Sequence, residues 1–279
     1  MSAAREARAG GCAPGPADPG PLTRKLGLAD LFAEIRIGAA DRDRTSDIPY
    51  QWVDRLEAAG MGSLRLPVSE GGQGLGLAEL LEVVEDLAVA DPSIAHAFRN
   101  HFGFVENALG RTRNPIHDRL LAEIASGKLV FGSHGEQNTP TSGDAQADFT
   151  TTVRRRDGQL LLRGDKFYST GNLYADYLVV SANWDTGGPV TVAIPATRAG
   201  IDRTDDWDGI GQRLTGSGST RYRDVVVHED EIVPADDTAT TDKYQASFAQ
   251  LYLTTVIAGI VRSVVADAVV HQPSAGEDR

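Results

Sequence analysis

Residues 205–220 read Asp-Asp-Trp-Asp-Gly-Ile-Gly-Gln-Arg-Leu-Thr-Gly-Ser-Gly-Ser-Thr. Such a turn has little core-forming surface but many backbone N–H groups and hydroxyls, so it can wrap a planar polar ligand. Trp207 can stack on or wall a ring; equally it can pack a domain junction as a rim aromatic. The six histidines show no metal-ligand spacing with cysteine and no His-Glu-x-x-His pattern, so no metal site is expected. A histidine near neutral pH can instead donate a hydrogen bond or a proton. His96 and His101 lie five residues apart in one helical stretch and therefore point in different directions. The glycines at 71–76 do not form a phosphate loop: no strand precedes them and no Lys-Ser/Thr pair follows.

Two kinds of periodicity must position these groups. Residues 22–41 carry apolar side chains at Leu28, Leu31, Phe32 and Ile35, a helical spacing. Residues 50–59 follow Pro49, a first-turn proline. Residues 77–90 form an amphipathic helix with Leu80, Leu81, Val84, Leu87 and Ala88 on one side. Asp91-Pro-Ser then breaks it, with Asp91 or Ser93 capping a helix over 94–109, and a further helix spans about 116–125. From Leu129 the pattern turns to strands, near 130–133, 149–155, 159–166, 177–182, 190–194 and 219–227. Arg156-Asp157-Gly158 carries the Asp-Gly signal of a hairpin turn. Residues 243–270 return to helix, apolar nearly all round and read as buried. Helices, then strands, then a helix predict an α+β fold with segregated layers.

Composition narrows the function. The 279 residues carry a net charge of −12, which argues against a nucleic-acid partner because a basic face would be needed to neutralise phosphates. Cys12 is the lone cysteine, consistent with a reducing cytosol. The first twenty residues are rich in Ala, Gly and Pro and lack an apolar stretch of signal-peptide type. No membrane span is expected, because Gln250, Arg262 and Asp267 interrupt the most apolar window.

Several motifs taken in order resemble the acyl-CoA dehydrogenase family. They are Leu66-Pro-Val-Ser-Glu-Gly-Gly-Gln-Gly-Leu-Gly76, Ala90-Asp-Pro-Ser93, Gly135-Glu-Gln-Asn-Thr-Pro-Thr-Ser-Gly-Asp144, Gly164-Asp-Lys-Phe-Tyr-Ser-Thr-Gly171, and the turn at 205–220. Ser93-Ile-Ala-His96 with His101, Asp206-Trp207, Gly211-Gln-Arg213 and Thr215-Gly-Ser-Gly218 are most similar to its flavin-dependent monooxygenase branch. The resemblance implies an N-terminal all-helical domain at 22–127 after a tail at 1–21, and a flavin-binding β-barrel or sandwich at 128–238. Only the first helix of a C-terminal helical bundle follows at 239–271, then a tail at 272–279.

That resemblance implies reduced FMN supplied by a separate flavin reductase, with FAD as the alternative. The substrate would be a small apolar or heteroaromatic molecule, sulfur-bearing in one version, in a cytoplasmic homo-oligomer with no nucleic-acid or membrane partner. His101 matches the branch's active-site histidine. Thr170 stands where the branch carries a serine beside the flavin's reactive edge. Ser133 and Asn138 match positions that bond the pyrimidine side, Trp207 walls the ring, and Ser217 and Ser219 lie near the flavin tail. His134 departs from the family loop and is read as pointing outward. An acyl-CoA dehydrogenase-type FAD enzyme and a non-catalytic remnant remain as alternatives, since the family's C-terminal bundle does not follow here.

Overall fold

The structure is a computed structural model that describes residues 17–110, 113–136, 149–233 and 239–270. The N-terminal half is helical. The stretch expected as one helix over 22–41 is three: α1 (Pro21–Lys25), α2 (Ala29–Arg36) and α3 (Ala39–Thr45). Gly27 and Gly38, at φ +74° and +81°, take the left-handed backbone that ends each turn. Then come α4 (Tyr50–Ala58), with Pro49 at its N-cap, and α5 (Leu77–Ala90). Leu80, Val83, Val84 and Leu87 of α5 are fully buried at the centre of the helical layer.

The helix expected over 94–109 is two, α6 (Pro92–Ala97) and α7 (Arg99–Gly110), with the break at Phe98. Asp91 starts α6 by accepting the N–H groups of Ser93 (3.0 Å) and Ile94 (3.1 Å). Its other oxygen meets Arg42 of α3 at 2.9 Å in a buried ion pair. The helical region closes with α8 (Pro115–Ala125), capped by Asn114.

Eight strands follow among the described residues: β1 (Val130–Ser133), β2 (Thr152–Arg156), β3 (Gln159–Lys166), β4 (Tyr177–Trp184), β5 (Pro189–Pro195), β6 (Ile201–Thr204), β7 (Ser219–Val227) and β8 (Ile232–Val233). They form one sheet in the order β6-β7-β3-β2-β4-β5-β8, with β1 pairing β4 in parallel from Val130–Tyr177 to Ser133–Val180. The turn between β2 and β3 has Asp157 and Gly158 at φ +50° and +79°, the doubly left-handed hairpin that Asp-Gly signals. The N–H of Phe167 donates to the carbonyl of Gly135 at 3.0 Å, so the exits of β3 and β1 run side by side.

The last element, α9 (Ala239–Val270), lies on α5, α6 and α7. Phe248, Tyr252 and Val256 enter the core, and Tyr252 donates its hydroxyl to the Ala95 carbonyl (2.9 Å). Arg262 pairs with Glu85 (2.9 Å) and Asp86. The opposite face is not buried as expected: Leu251, Ile257, Val261, Val264, Val265 and Val269 are exposed. By length and composition alone, the segment Ala246–Val269 could cross a membrane, contrary to the expectation of none. Here it covers the helical layer with one face. The succession of helices, sheet and final helix is the α+β arrangement that the periodicity implies.

Candidate active site

Thr170 lies just beyond β3, where Gly171 (φ +88°) turns the chain; a Cβ there would come within 2.2 Å of the Phe131 ring. Asn100 of α7 donates to the Thr170 carbonyl (2.9 Å). The Thr170 hydroxyl meets Ser217 (2.9 Å), Ser217 meets Thr215 (2.6 Å), and Thr215 meets the Gln212 carbonyl (3.0 Å). A carbonyl only accepts, and each hydroxyl has one hydrogen. Thr215 therefore donates to Gln212, Ser217 donates to Thr215, and Thr170 donates to Ser217. The chain has a fixed direction, and Thr170 is left with lone pairs only. Its next partner must be a donor.

Gln212 organises a second set of contacts. Its carbonyl also accepts the Trp207 indole N–H (3.1 Å), and its side-chain oxygen lies 3.0 Å from His96 Nδ1. With Nδ1–H donating to that oxygen, His96 presents a bare Nε2. Burial, helped by the Arg99 charge, pushes the His96 pKa down to about 4 against the opposing Gln212 bond, so the ring is neutral at pH 7. Tyr168 meets Trp207 edge to face with centroids 6.0 Å apart. Gln212 itself sits at φ +55°, uncommon for a residue with a Cβ.

Of the residues singled out from sequence, Thr170, Ser217 and Trp207 converge here. Ser219 is adjacent: its N–H donates to Asp206 (2.7 Å), and the intervening Gly218 presses so close to the Thr204 carbonyl that a Cβ would lie 1.9 Å away. Ser133 is near but committed. Its hydroxyl accepts from Asn172 (3.1 Å) and Tyr222 (2.9 Å) and faces Ser169 at 3.3 Å, in a fully buried network. It has no capacity left for a ligand, so its role is to brace β1 against β7. Asn138 lies outside the described residues.

His101 corrects the sequence reading. Its ring is fully buried among Phe98, Phe102 and Phe131. Nε2 donates to the Gly62 carbonyl (2.9 Å) and Nδ1 accepts the Val130 N–H (3.1 Å). Both nitrogens are spent on backbone groups, so the ring joins α7, β1 and the Gly62 turn. The imidazole that faces the 205–218 loop is His96. The resemblance pointed to His101 instead, and five residues along the chain the two rings leave in different directions.

A basic group lies behind these residues. Lys166 is fully buried and pairs with Glu136 (2.7 Å), beneath the Phe149 ring. Burial works to raise Glu136, but bonds from Lys166, Thr151 and Thr150 win and hold it at about 2. His134 points to the surface, as expected, and its Nδ1 lies 2.7 Å from the Ser181 hydroxyl of β4. Burial within the surrounding protein, with the charges of Lys166 and Arg99, sets its pKa at about 4. A hollow of about 590 Å³ beside β6 and β7, lined by Ala196, Ile201, Arg203 and Arg221 among others, includes none of Thr170, His96, Gln212, Trp207 and Ser217.

Comparison with known proteins places the chain. The acyl-CoA dehydrogenase N-terminal domain family model matches residues 29–128. A dibenzothiophene monooxygenase of Rhodococcus qingshengii is 31% identical over 266 residues, covering 89% of this chain. The chain belongs to the acyl-CoA dehydrogenase superfamily. Within that superfamily its similarity runs to the flavin monooxygenase branch. FMN-bound TdsC from Paenibacillus sp. A11-2 superposes with a TM-score of 0.79 at 25% identity, over 91% of this chain and 66% of that one. Methanesulfinate monooxygenase MsuC from Pseudomonas fluorescens gives 0.79 at 27%, over 93% and 65%. The chain spans 61% of the length of the Rhodococcus relative. In this chain the helical layer, through His96 and Asn100, and the loops of the sheet meet at the cluster around Thr170 and Gln212.

Proposed function

We propose that this chain forms the flavin- and substrate-facing part of a two-component monooxygenase. It would take reduced FMN from a separate flavin reductase and use oxygen to oxidise a small, sulfur-bearing substrate in the cytoplasm. The observation that carries this reading is the one-way hydroxyl chain ending on Thr170. A reduced flavin has a ring N–H at its reactive edge where the oxidised ring has only a lone pair. An acceptor-only threonine suits the reduced ring.

The other groups also fit a flavin. Trp207 supplies an aromatic wall, and Ser217 carries the hydroxyl chain that orients Thr170, while the Ser219 N–H is already spent on Asp206. When bound, reduced flavin supplies the electrons that activate oxygen; the protein supplies position and dryness. Thr170 orients the ring edge. His96, in place of the His101 role inferred from sequence, offers its bare Nε2 to accept a hydrogen bond or a proton. The names of the Rhodococcus, Paenibacillus and Pseudomonas proteins, with sulfur substrates and FMN among them, support the same assignment.

Its test is oxygen consumption and product formation with a flavin reductase, FMN and a thiophene or sulfinate, beside a direct FMN titration. A chain that binds neither oxidised nor reduced FMN rejects the reading.

A further inference from the structure

β6 is an edge of the sheet, and the hollow of about 590 Å³ lies beside it. Its lining brings together Arg203 of β6, Arg221 of β7, the hydroxyls of Thr197 and Thr204, and one carboxylate, Asp202. The outer edge of β6 adds backbone groups that no strand pairs.

Arg203 is held in place without being neutralised. Its Nη1 donates to the carbonyls of Asn172, Leu173 and Ala175 at 2.8, 3.3 and 3.2 Å. These bonds fix the guanidinium by one nitrogen. Nε and Nη2, the two donors on the other side of the fork, have no partner among the described residues. The Nε atoms of Arg42, Arg99, Arg119, Arg154 and Arg262 are shut off from solvent without a partner; that of Arg203 is not.

Arg221 has only a loose neighbour. The Asp165 carboxylate is 3.8 Å away, and the two side chains are 50% and 55% exposed. Asp202 stands opposite Arg221 in the strand register, but its carboxylate lies 3.5 Å from Arg223. Pairs this long and exposed hold their charges weakly. Two guanidiniums therefore line the hollow against one carboxylate, and that carboxylate is shared with a third arginine. Shielded arginines elsewhere are matched closely, as Arg42 is by Asp91 and Arg198 by Glu231.

We propose that this hollow binds a small oxyanion, a phosphate or carboxylate group, at a site separate from the candidate flavin cluster. The Nε–Nη2 side of Arg203 takes two oxygens, Arg221 supplies the second charge, and Thr197 and Thr204 donate to what remains. A guanidinium whose plane is already fixed loses little freedom when it binds. The volume leaves room for the body of a ligand beyond its anionic group. The site stands independently of the monooxygenase reading, because it shares none of Thr170, His96, Gln212, Trp207 and Ser217.

The test uses inorganic phosphate and acetate as probes, with sodium chloride at matched ionic strength as the control. Arginine Nε–H resonances are followed by NMR in the 15N-labelled wild-type chain, R203K, R203M and R221M; the signals missing from the variants assign the two arginines. The Arg203 signal of the wild type should shift saturably with phosphate or acetate and not with chloride. Response to phosphate alone narrows the ligand to phosphates, response to acetate alone to carboxylates, and either upholds the site. R221M should bind the probe roughly tenfold more weakly, the size of one hydrogen bond to a charged group. R203K, which keeps a charge without the fork, should also bind more weakly, and R203M should leave the Arg221 signal unmoved. Arg203 also braces three carbonyls, so R221M, whose side chain is half exposed, decides the matter should the Arg203 variants fail to fold. No saturable shift, an equal response to chloride, or undiminished affinity in R221M overturns the proposal. So does displacement of phosphate by FMN but not by riboflavin, which would give the hollow to the flavin's own phosphate. A chain that binds phosphate here yet binds no FMN rejects the flavin reading and leaves this site standing.

Discussion

Gln212 Oε1 lies 3.0 Å from His96 Nδ1, across 116 residues of sequence, and this bond joins the glycine-rich loop to α6. The same glutamine's carbonyl terminates both the Trp207 indole and the Thr215–Ser217–Thr170 hydroxyl chain. One residue therefore sets the tautomer of the imidazole and the direction of the hydroxyls. Q212A keeps the carbonyl and removes the amide. Because the Gln212 bond raises the His96 pKa, the variant should shift that pKa below about 4 and release the ring tautomer. Imidazole NMR reads both, and an unchanged His96 titration would refute the coupling.

Thr170 is expected to act through its lone pairs. T170S should bind reduced FMN like wild type. T170V, which keeps the shape and removes the acceptor, should bind it roughly tenfold more weakly while binding of oxidised FMN changes little. Anaerobic fluorescence titration separates the two forms. Equal loss for both would mean that the threonine only fills space.

His101 gives an acid-sensitivity with a definite sign. Burial pushes its pKa from 6.5 to about 4, against the pull of its Gly62 and Val130 bonds. The unfolded chain binds a proton in that interval and the folded chain does not. The contribution of the neutral ring is therefore fully present above about pH 6.5 and lost as pH falls toward 4, amounting to on the order of 3 kcal/mol. H101Q should be less stable at pH 7.5 and flatter between pH 6.5 and 4 in urea unfolding. An identical slope would exclude the histidine as the source.

Asp91 joins two jobs, the α6 cap and the Arg42 pair. D91A should cost about 3–5 kcal/mol, the loss typical of stranding one partner of a buried ion pair. D91N, which keeps a capping oxygen, should cost less. Thermal melts of the two variants measure the difference; equal melting points would show that the cap contributes nothing.

The exposed face of α9 should control association. Replacing Val261 and Val265 by lysine puts charge on a row of apolar side chains that the structure leaves open. Light scattering should show less self-association than wild type with the melting point little changed, since neither side chain is in the core. Unaltered association would place the sticking surface elsewhere.

Much of the architecture could be read along the chain because it rests on local periodicity. The period-3.6 pattern of α5, the Asp91 cap, the Asp157-Gly158 turn and the alternation in β3 to β5 each depend on near neighbours. The gathering of Thr170, Trp207 and Ser217 was legible only through the family resemblance of their motifs, because Thr170 and Ser217 lie 47 residues apart. Breaks at Gly27 and Gly38 were visible only as glycines, and the break at Phe98 had no marker at all. Burial was the weakest inference: α9 is apolar all round, but a helix has one face per neighbour, and only the packing of α5 to α7 decided which face that was.

The roles of the two histidines belonged wholly to tertiary structure. His101 and His96 look alike in sequence, yet one meets two backbone groups and the other a glutamine 116 residues away. Local spacing dictates which way a side chain leaves its helix; what it meets there is decided by distant segments, because hydrogen bonds and charges act through space.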